Sequence, residues 1–82
     1  MKVVIAQVDK VFFDGEARSL TLPASAGEMT VLPSHMPLIT TLKAGTIVVR
    51  LPVQAGSGEG ERRFPIESGI LEVRTGGATV IL

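Results

Sequence analysis

His35 is the only histidine of this 82-residue chain, and it follows Ser34 between two prolines, Pro33 and Pro37. A serine beside a histidine could supply a nucleophile and a general base, as in hydrolytic enzymes. Adjacent residues of an extended loop point in opposite directions, however, so this pair alone cannot form the required hydrogen bond. No oxyanion-binding motif accompanies the pair. An enzyme is therefore only the third of three hypotheses about function.

Metal and phosphate sites have equally little support. One histidine, no cysteine and scattered carboxylates do not make a recognisable set of metal ligands. Residues 56–60 superficially resemble a phosphate-binding glycine loop, but such a loop needs a helix N-terminus directly after it. The residues that follow, 61–65, are strand-like and include a proline. We predict no metal, no cofactor and a simple hairpin loop over residues 54–60.

Charge and hydropathy argue against two further classes of partner. Eight acidic and eight basic residues give a formal net charge of zero, which suits a phosphate backbone poorly. The three aromatic residues are all phenylalanine and are not spaced as a base-stacking platform. Apolar runs fall far short of the roughly 20 residues that span a bilayer, and the first residues resemble no signal peptide. We expect no nucleic-acid partner and no direct membrane insertion.

The elements that must position any site are predicted to be short strands. Nine glycines and five prolines punctuate runs rich in Val, Ile, Leu and Thr, and no helical period is sustained. The pattern predicts one all-β domain over residues 1–82, a flattened barrel or sandwich of about eight to ten short, mostly antiparallel strands. The predicted strands cover residues 2–8, 18–22, 29–32, 38–42, 46–51, 62–66, 70–74 and 78–82, with another beginning at residue 11.

Several local expectations are specific enough to check. The Asp-Gly pair at residues 14–15 is a tight-turn signal, because glycine accepts positive φ at little cost. Residues 24–28 are predicted to be a loop. Alternation should place Leu20 and Leu22 on one face of their strand. Pro65 should lie on an edge strand, since it cannot donate a ladder hydrogen bond. Residues 75–77, Thr-Gly-Gly, are predicted to form a hairpin turn.

The most specific pattern runs from residue 27 to residue 45. It reads Gly-Glu-Met-Thr-Val-Leu-Pro-Ser-His-Met-Pro-Leu-Ile-Thr-Thr-Leu-Lys-Ala-Gly. This resembles the N-terminal β-sandwich domain of the epsilon subunit of F-type ATP synthases, where Gly-Glu leads through Pro-X-His-X-Pro to an apolar strand and a Gly turn. Residues 68–73 and 77–80 resemble later parts of the same domain. Ser34 and Ala44 depart from the glycine and proline that are common there.

The resemblance implies a non-catalytic subunit of the central stalk. In that family, epsilon links the gamma subunit to the c-ring, so that proton- or sodium-driven rotation is coupled to ATP synthesis. It also implies a peripheral location on the cytoplasmic side of the bacterial inner membrane, in preference to the plastid thylakoid. The family's C-terminal helical hairpin has no counterpart in these residues, so its inhibitory and nucleotide-binding roles are not carried over. Whether the chain is an isolated N-terminal domain or a naturally short form stays open.

The resemblance implies a contact surface as well. Glu28, Ser34, His35 and Met36 are the candidates for contact with the polar loops of the c-ring, with Glu28 and His35 on neighbouring loops. The flanking prolines should stiffen the histidine loop. A plainer interpretation is a surface histidine that bonds its own turn and a solvated turn carboxylate. A standalone small-ligand-binding β-sandwich is the alternative function, although few convergent polar groups are available to line a pocket.

Overall fold

A computed structural model of the chain describes residues 1–52 and 60–82, and their regular elements are all strands. The predicted all-β class is therefore confirmed. None of the described residues forms a helix long and apolar enough to cross a bilayer. The predicted loop at residues 54–60 falls almost entirely outside the described residues. The strands are β1 (Lys2–Gln7), β2 (Lys10–Glu16), β3 (Ser19–Ala24), β4 (Gly27–Val31), β5 (Leu38–Leu42), β6 (Gly45–Arg50), β7 (Glu61–Ile66), β8 (Gly69–Arg74) and β9 (Gly77–Ile81).

These strands form one strongly curled sheet. Its order is β2-β1-β9-β8-β5-β3-β6-β7, and β4 pairs with the other side of β3. Neighbouring strands are antiparallel except β1 and β9, which are parallel. A single residue pair, Ala24 with Leu42, joins β3 to β5, and the Lys43 N–H donates to the Pro23 carbonyl at 2.8 Å beside it. This junction divides the sheet into a five-strand half (β2, β1, β9, β8, β5) and a four-strand half (β4, β3, β6, β7).

The two ends of the sheet meet through side chains. Phe13 of β2 and Phe64 of β7 have ring centroids 6.1 Å apart in an edge-to-face arrangement. The guanidinium of Arg62 lies 5.8 Å from the first ring centroid and 5.4 Å from the second, within cation–π range. Backbone pairing therefore joins the two halves on one side, and this aromatic seam brings the unpaired end strands β2 and β7 together on the other, so the curled sheet has the form of a half-barrel.

The core between the two halves is aliphatic, as the scarcity of aromatic residues predicts. Its side chains come from alternate positions of the strands, and each buried Leu or Ile contributes about 1.5–3 kcal/mol. Leu20 and Leu22 both face this core, as the alternation of β3 predicts. The largest fully buried residues are Ile5, Leu20, Leu22, Ile47, Leu71, Val3, Val31, Val49 and Val80.

The predicted tight turn at residues 14–15 is wrong. Asp14 and Gly15 lie inside β2, opposite Val4 and Val3 of β1. Gly15 does not have a positive φ, whereas Gly27, Gly45 and Gly76 do among the described glycines. The pairing with β1 overrides the local signal. The strand bends earlier instead, at a bulge where the register shifts and one residue of β2 has no partner.

The predicted loop at residues 24–28 is also largely wrong. Ala24 ends β3 and pairs directly with Gly27, the first residue of β4, so only two residues form the turn. Gly27 has a φ of 136°, a region that other L-residues rarely adopt. That freedom lets the chain reverse tightly, and it places Glu28 in a strand.

Two further expectations are confirmed. Pro65 lies opposite Thr46 on β7, an edge strand of the sheet. The β8–β9 hairpin turns at residues 75–76, where Gly76 has a φ of 82°. The next residue, Gly77, allows a close approach, because a Cβ there would lie 2.8 Å from the Lys2 carbonyl oxygen. That glycine lets the parallel strands β9 and β1 pack side by side.

Candidate functional site

Residues 32–37 form the loop that carries the histidine. The loop joins β4 in the four-strand half to β5 in the five-strand half. The His35 N–H donates to the Leu32 carbonyl at 2.9 Å, which closes a turn. With Pro33 and Pro37 restricting the backbone on either side, this loop presents a defined shape to solvent.

The His35 ring is half-buried and folds back on its own loop. Its Nδ1 lies 2.7 Å from the Met36 carbonyl oxygen. Since a carbonyl only accepts, Nδ1 must carry the hydrogen, and Nε2 of the neutral ring is left as an acceptor. The plainer interpretation, a surface histidine that bonds its own turn, is thus confirmed. It leaves Nε2 without a hydrogen-bond partner among the described residues.

Ser34 and Met36 flank this ring and are both exposed. Ser34 does not bond the imidazole, whose Nδ1 is occupied by the backbone. The Met36 side chain is 77% exposed, and Leu32 and Ile39, close to it in the sequence, are exposed as well. A flexible thioether at such a position can adapt to an irregular partner surface.

Glu28 lies apart from these three residues. It is the second residue of β4, exposed and opposite Pro23 of β3. The loop begins after Val31, roughly 10 Å further along the strand. The expectation of two neighbouring loops is therefore wrong, since Glu28 is in a strand and only His35 is in a loop. A partner that contacts both must extend along β4.

The structure adds apolar residues that the sequence reasoning did not single out. Leu32, the first residue of the loop, is 52% exposed, and Ile39, just after the loop in β5, is 71% exposed. The alternation of β5 carried the signal for Ile39, because Leu38 faces the core and the next residue must face solvent. We call Leu32, Met36 and Ile39, the exposed large apolar residues in and next to the loop, the apolar border.

A shallow groove runs alongside this border. Its volume is about 350 Å³. Glu72 and Arg74 form an ion pair of 3.8 Å on its wall, and Arg74 also donates to the Thr79 hydroxyl at 2.6 Å. These groups already bond one another, so the groove favours surface contact over an enclosed ligand site. It is lined by Pro37, Leu38, Ile39, Glu72, Val73 and Arg74.

Three kinds of group are therefore available to a partner. The border supplies apolar side chains, His35 supplies one imidazole nitrogen, and Glu28 supplies a carboxylate. Within residues 1–52 and 60–82, no three His, Cys, Asp or Glu side chains are grouped closely enough to hold a metal ion. We call the loop 32–37, Ile39 and β4 the contact surface.

Comparison with known proteins confirms the resemblance found at residues 27–45. The family model described as the β-sandwich domain of the ATP synthase delta/epsilon chain matches residues 1–82. An ATP synthase epsilon chain from Herminiimonas arsenicoxydans is 38% identical over 81 residues, which is 99% of this chain and 55% of the relative. An ATP synthase epsilon chain from Bordetella petrii is 41% identical over 81 residues, which is 99% of this chain and 54% of the relative. The chain thus spans about half the length of the curated relatives it matches.

Solved structures show the same fold. A chain of the Euglena gracilis mitochondrial ATP synthase, solved as OSCP/F1/c-ring, aligns with a TM-score of 0.81 at 22% identity, over 96% of this chain and 48% of its own. A chain of the Tetrahymena thermophila mitochondrial ATP synthase, solved as central stalk and c-ring, aligns with a TM-score of 0.73 at 15% identity. The alignment covers 98% of this chain and 60% of the other. The match covers this chain from its first residue to its last, and the chain therefore belongs to the ATP synthase delta/epsilon family, whose β-sandwich domain it matches.

Proposed function

We propose that this chain is a non-catalytic rotor subunit of an F-type ATP synthase, which links gamma to the c-ring in the central stalk. Proton- or sodium-driven rotation of the ring would thereby be coupled to ATP synthesis. The observation that carries the proposal is the family match over every residue of the chain. Its solved neighbours, which come from central-stalk and c-ring assemblies, support it.

The curled sheet suits a part that transmits torque. Backbone pairing joins the two halves on one side, and the Phe13–Phe64 seam joins them on the other. The aliphatic core between them is close-packed and resists shear as a unit. A rigid body of this kind can pass a twisting force from one partner to another with little internal deformation.

The contact surface is the part that we assign to the c-ring. Its loop is shaped by two prolines and exposes Met36, while Nε2 of His35 stays available as an acceptor. Glu28 adds a carboxylate at the other end of β4. Charged groups at the border of such a contact set orientation and encounter rate more than affinity.

The proposed partners also determine where in the cell we expect this chain. The curated relatives named above are bacterial, which favours the cytoplasmic face of the bacterial inner membrane. The chain would be peripheral there, held to the membrane through the complex.

Cysteine cross-linking in the assembled enzyme tests this assignment. The chain has no cysteine, so His35→Cys and Glu28→Cys each introduce a unique thiol. Both should form disulfides with a cysteine placed in the polar loop of the c subunit. Asp9→Cys is the exposed control for His35→Cys, because the β1–β2 turn lies at the opposite end of the five-strand half from the loop. Cross-linking at Asp9 alone would show that the docking face is wrongly assigned.

A further inference from the structure

Methionine is the residue of this chain that a mild oxidant attacks most readily, since cysteine, the other usual target, is absent. The three methionines lie in different surroundings. Met1 and Met29 are partly buried and pack against the aliphatic core. Met36 is 77% exposed, on the loop that carries the histidine. A soluble oxidant therefore reaches the sulfur of Met36 without any part of the fold opening.

The backbone around Met36 is held in place, so this exposure belongs to the folded loop. The Met36 carbonyl accepts from Nδ1 of His35 at 2.7 Å, and the His35 N–H donates to the Leu32 carbonyl at 2.9 Å. Pro37 restricts the backbone of the residue that precedes it, which is Met36 itself. None of these constraints involves the thioether, so an oxygen atom added to Sδ would leave the loop and the fold as they are.

The chemical state of Met36 decides how apolar the loop surface is. Met36 belongs to the apolar border with Leu32 and Ile39, which are 52% and 71% exposed. A thioether contributes to such a border as an apolar, adaptable group, whereas a sulfoxide is polar and chiral. Burying a polar group without a hydrogen-bond partner costs free energy. Oxidation of this one atom would therefore make the border harder to bury against a partner.

We propose that Met36 is a reversible oxidation site, at which a peroxide controls docking on the c-ring. One oxygen atom passes from hydrogen peroxide to Sδ: the O–O bond breaks, an S–O bond forms, sulfur loses two electrons and water is released. A methionine sulfoxide reductase, with a thiol as reductant, reverses the step. The oxidation follows from the exposure of Met36, and its effect on docking rests on the proposed function. Since the c-ring would cover Met36, the chain is open to oxidation before assembly and shielded after it.

Peroxide oxidation followed by tandem mass spectrometry tests the site itself. The folded chain is treated briefly with hydrogen peroxide, and the added oxygen is located among the three methionines. Met36 should be oxidised severalfold faster than Met1 and Met29, whereas the three rates should converge in urea, where the core no longer protects the other two. Similar rates for all three in the folded chain would overturn the inference.

Two matched variants identify the residue that responds to peroxide. Met36→Leu and Met29→Leu each keep an apolar side chain of similar volume. Peroxide treatment should weaken binding to the complex of gamma and c-ring by roughly tenfold in the parent chain and in Met29→Leu, and should leave Met36→Leu unaffected. Methionine sulfoxide reductase should restore the binding, and the oxidised chain should keep the Tm of the untreated one. Loss of binding by peroxide-treated Met36→Leu would contradict the assignment to Met36.

The outcomes separate this inference from the proposed function. If Met36 is oxidised first but the sulfoxide chain binds the ring complex as tightly as the untreated chain, the control of docking is wrong and the subunit assignment stands. If oxidation also weakens binding to gamma alone, or lowers the Tm, the effect is not specific to the ring contact and the inference is overturned as well. Failure of the untreated chain to join any complex would count against the proposed function itself.

Discussion

At the scale of single residues, the contact surface depends on how His35 is held, and the contact between the two ends of the sheet depends on Arg62 and two phenylalanines. His35 is fixed by a bond to the carbonyl of the next residue, which leaves only Nε2 for a partner. Arg62 lies over both Phe13 and Phe64 and covers the seam between the two ends of the sheet. The group offered to a partner and the contact between the two ends of the sheet thus depend on different side chains.

The seam gives a prediction about stability. Phe64→Leu keeps an apolar side chain but loses the edge-to-face contact and the cation–π contact, so it should lower the free energy of unfolding by about 1–2 kcal/mol. Phe12→Leu is the matched control, because its ring contacts only Lys10, at 5.1 Å, among the charged and aromatic groups described. Its loss should be about half as large. Urea unfolding measures both, and equal losses would show that the seam does not contribute to closure.

At the scale of elements, local sequence signals were reliable where pairing agreed with them. The alternation of Leu20 and Leu22, the edge position of Pro65 and the hairpin at residues 75–76 could all be predicted, since each depends on the period of a strand or the chemistry of one residue. The Asp-Gly signal at residues 14–15 failed because six residues of β1 pair with β2 and extend it past the glycine. Such long-range pairing leaves no local trace in the sequence.

The sequence likewise predicted some features of the candidate site and missed others. The prolines around His35 predicted a shaped loop, and the loop is present. The direction of the imidazole could not be predicted, because it depends on a carbonyl that only the folded loop brings within 2.7 Å. The position of Glu28 was mistaken, because the two-residue turn before it depends on Gly27 and on pairing between Ala24 and that glycine.

Gly77 gives a prediction at the element scale. Gly77→Ala would place a Cβ 2.8 Å from the Lys2 backbone oxygen, and backbone cannot move aside as a flexible side chain can. Crowding of this kind should cost about 1–3 kcal/mol. Gly60→Ala is the control, since nothing lies within 4 Å of its added Cβ and its φ is not in the left-handed region. Thermal unfolding should show a lower Tm for the first variant only, and an unchanged Tm for both would refute the close approach of β9 to β1.

At the scale of the whole molecule, the curled sheet is the form expected of a rigid connector. It wraps an aliphatic core and leaves the loop 32–37 exposed at its surface. The family match covers residues 1–82, while the curated relatives are about twice as long. The proposed function therefore concerns the half of those relatives that this domain matches.

The central claim is that this chain is a stalk subunit, and its association with gamma tests that claim most directly. The chain and its cognate gamma subunit are mixed at micromolar concentration and separated by size-exclusion chromatography, with each run alone for reference. We predict that the two elute together as a stable complex. Separate elution of the two proteins would contradict the account.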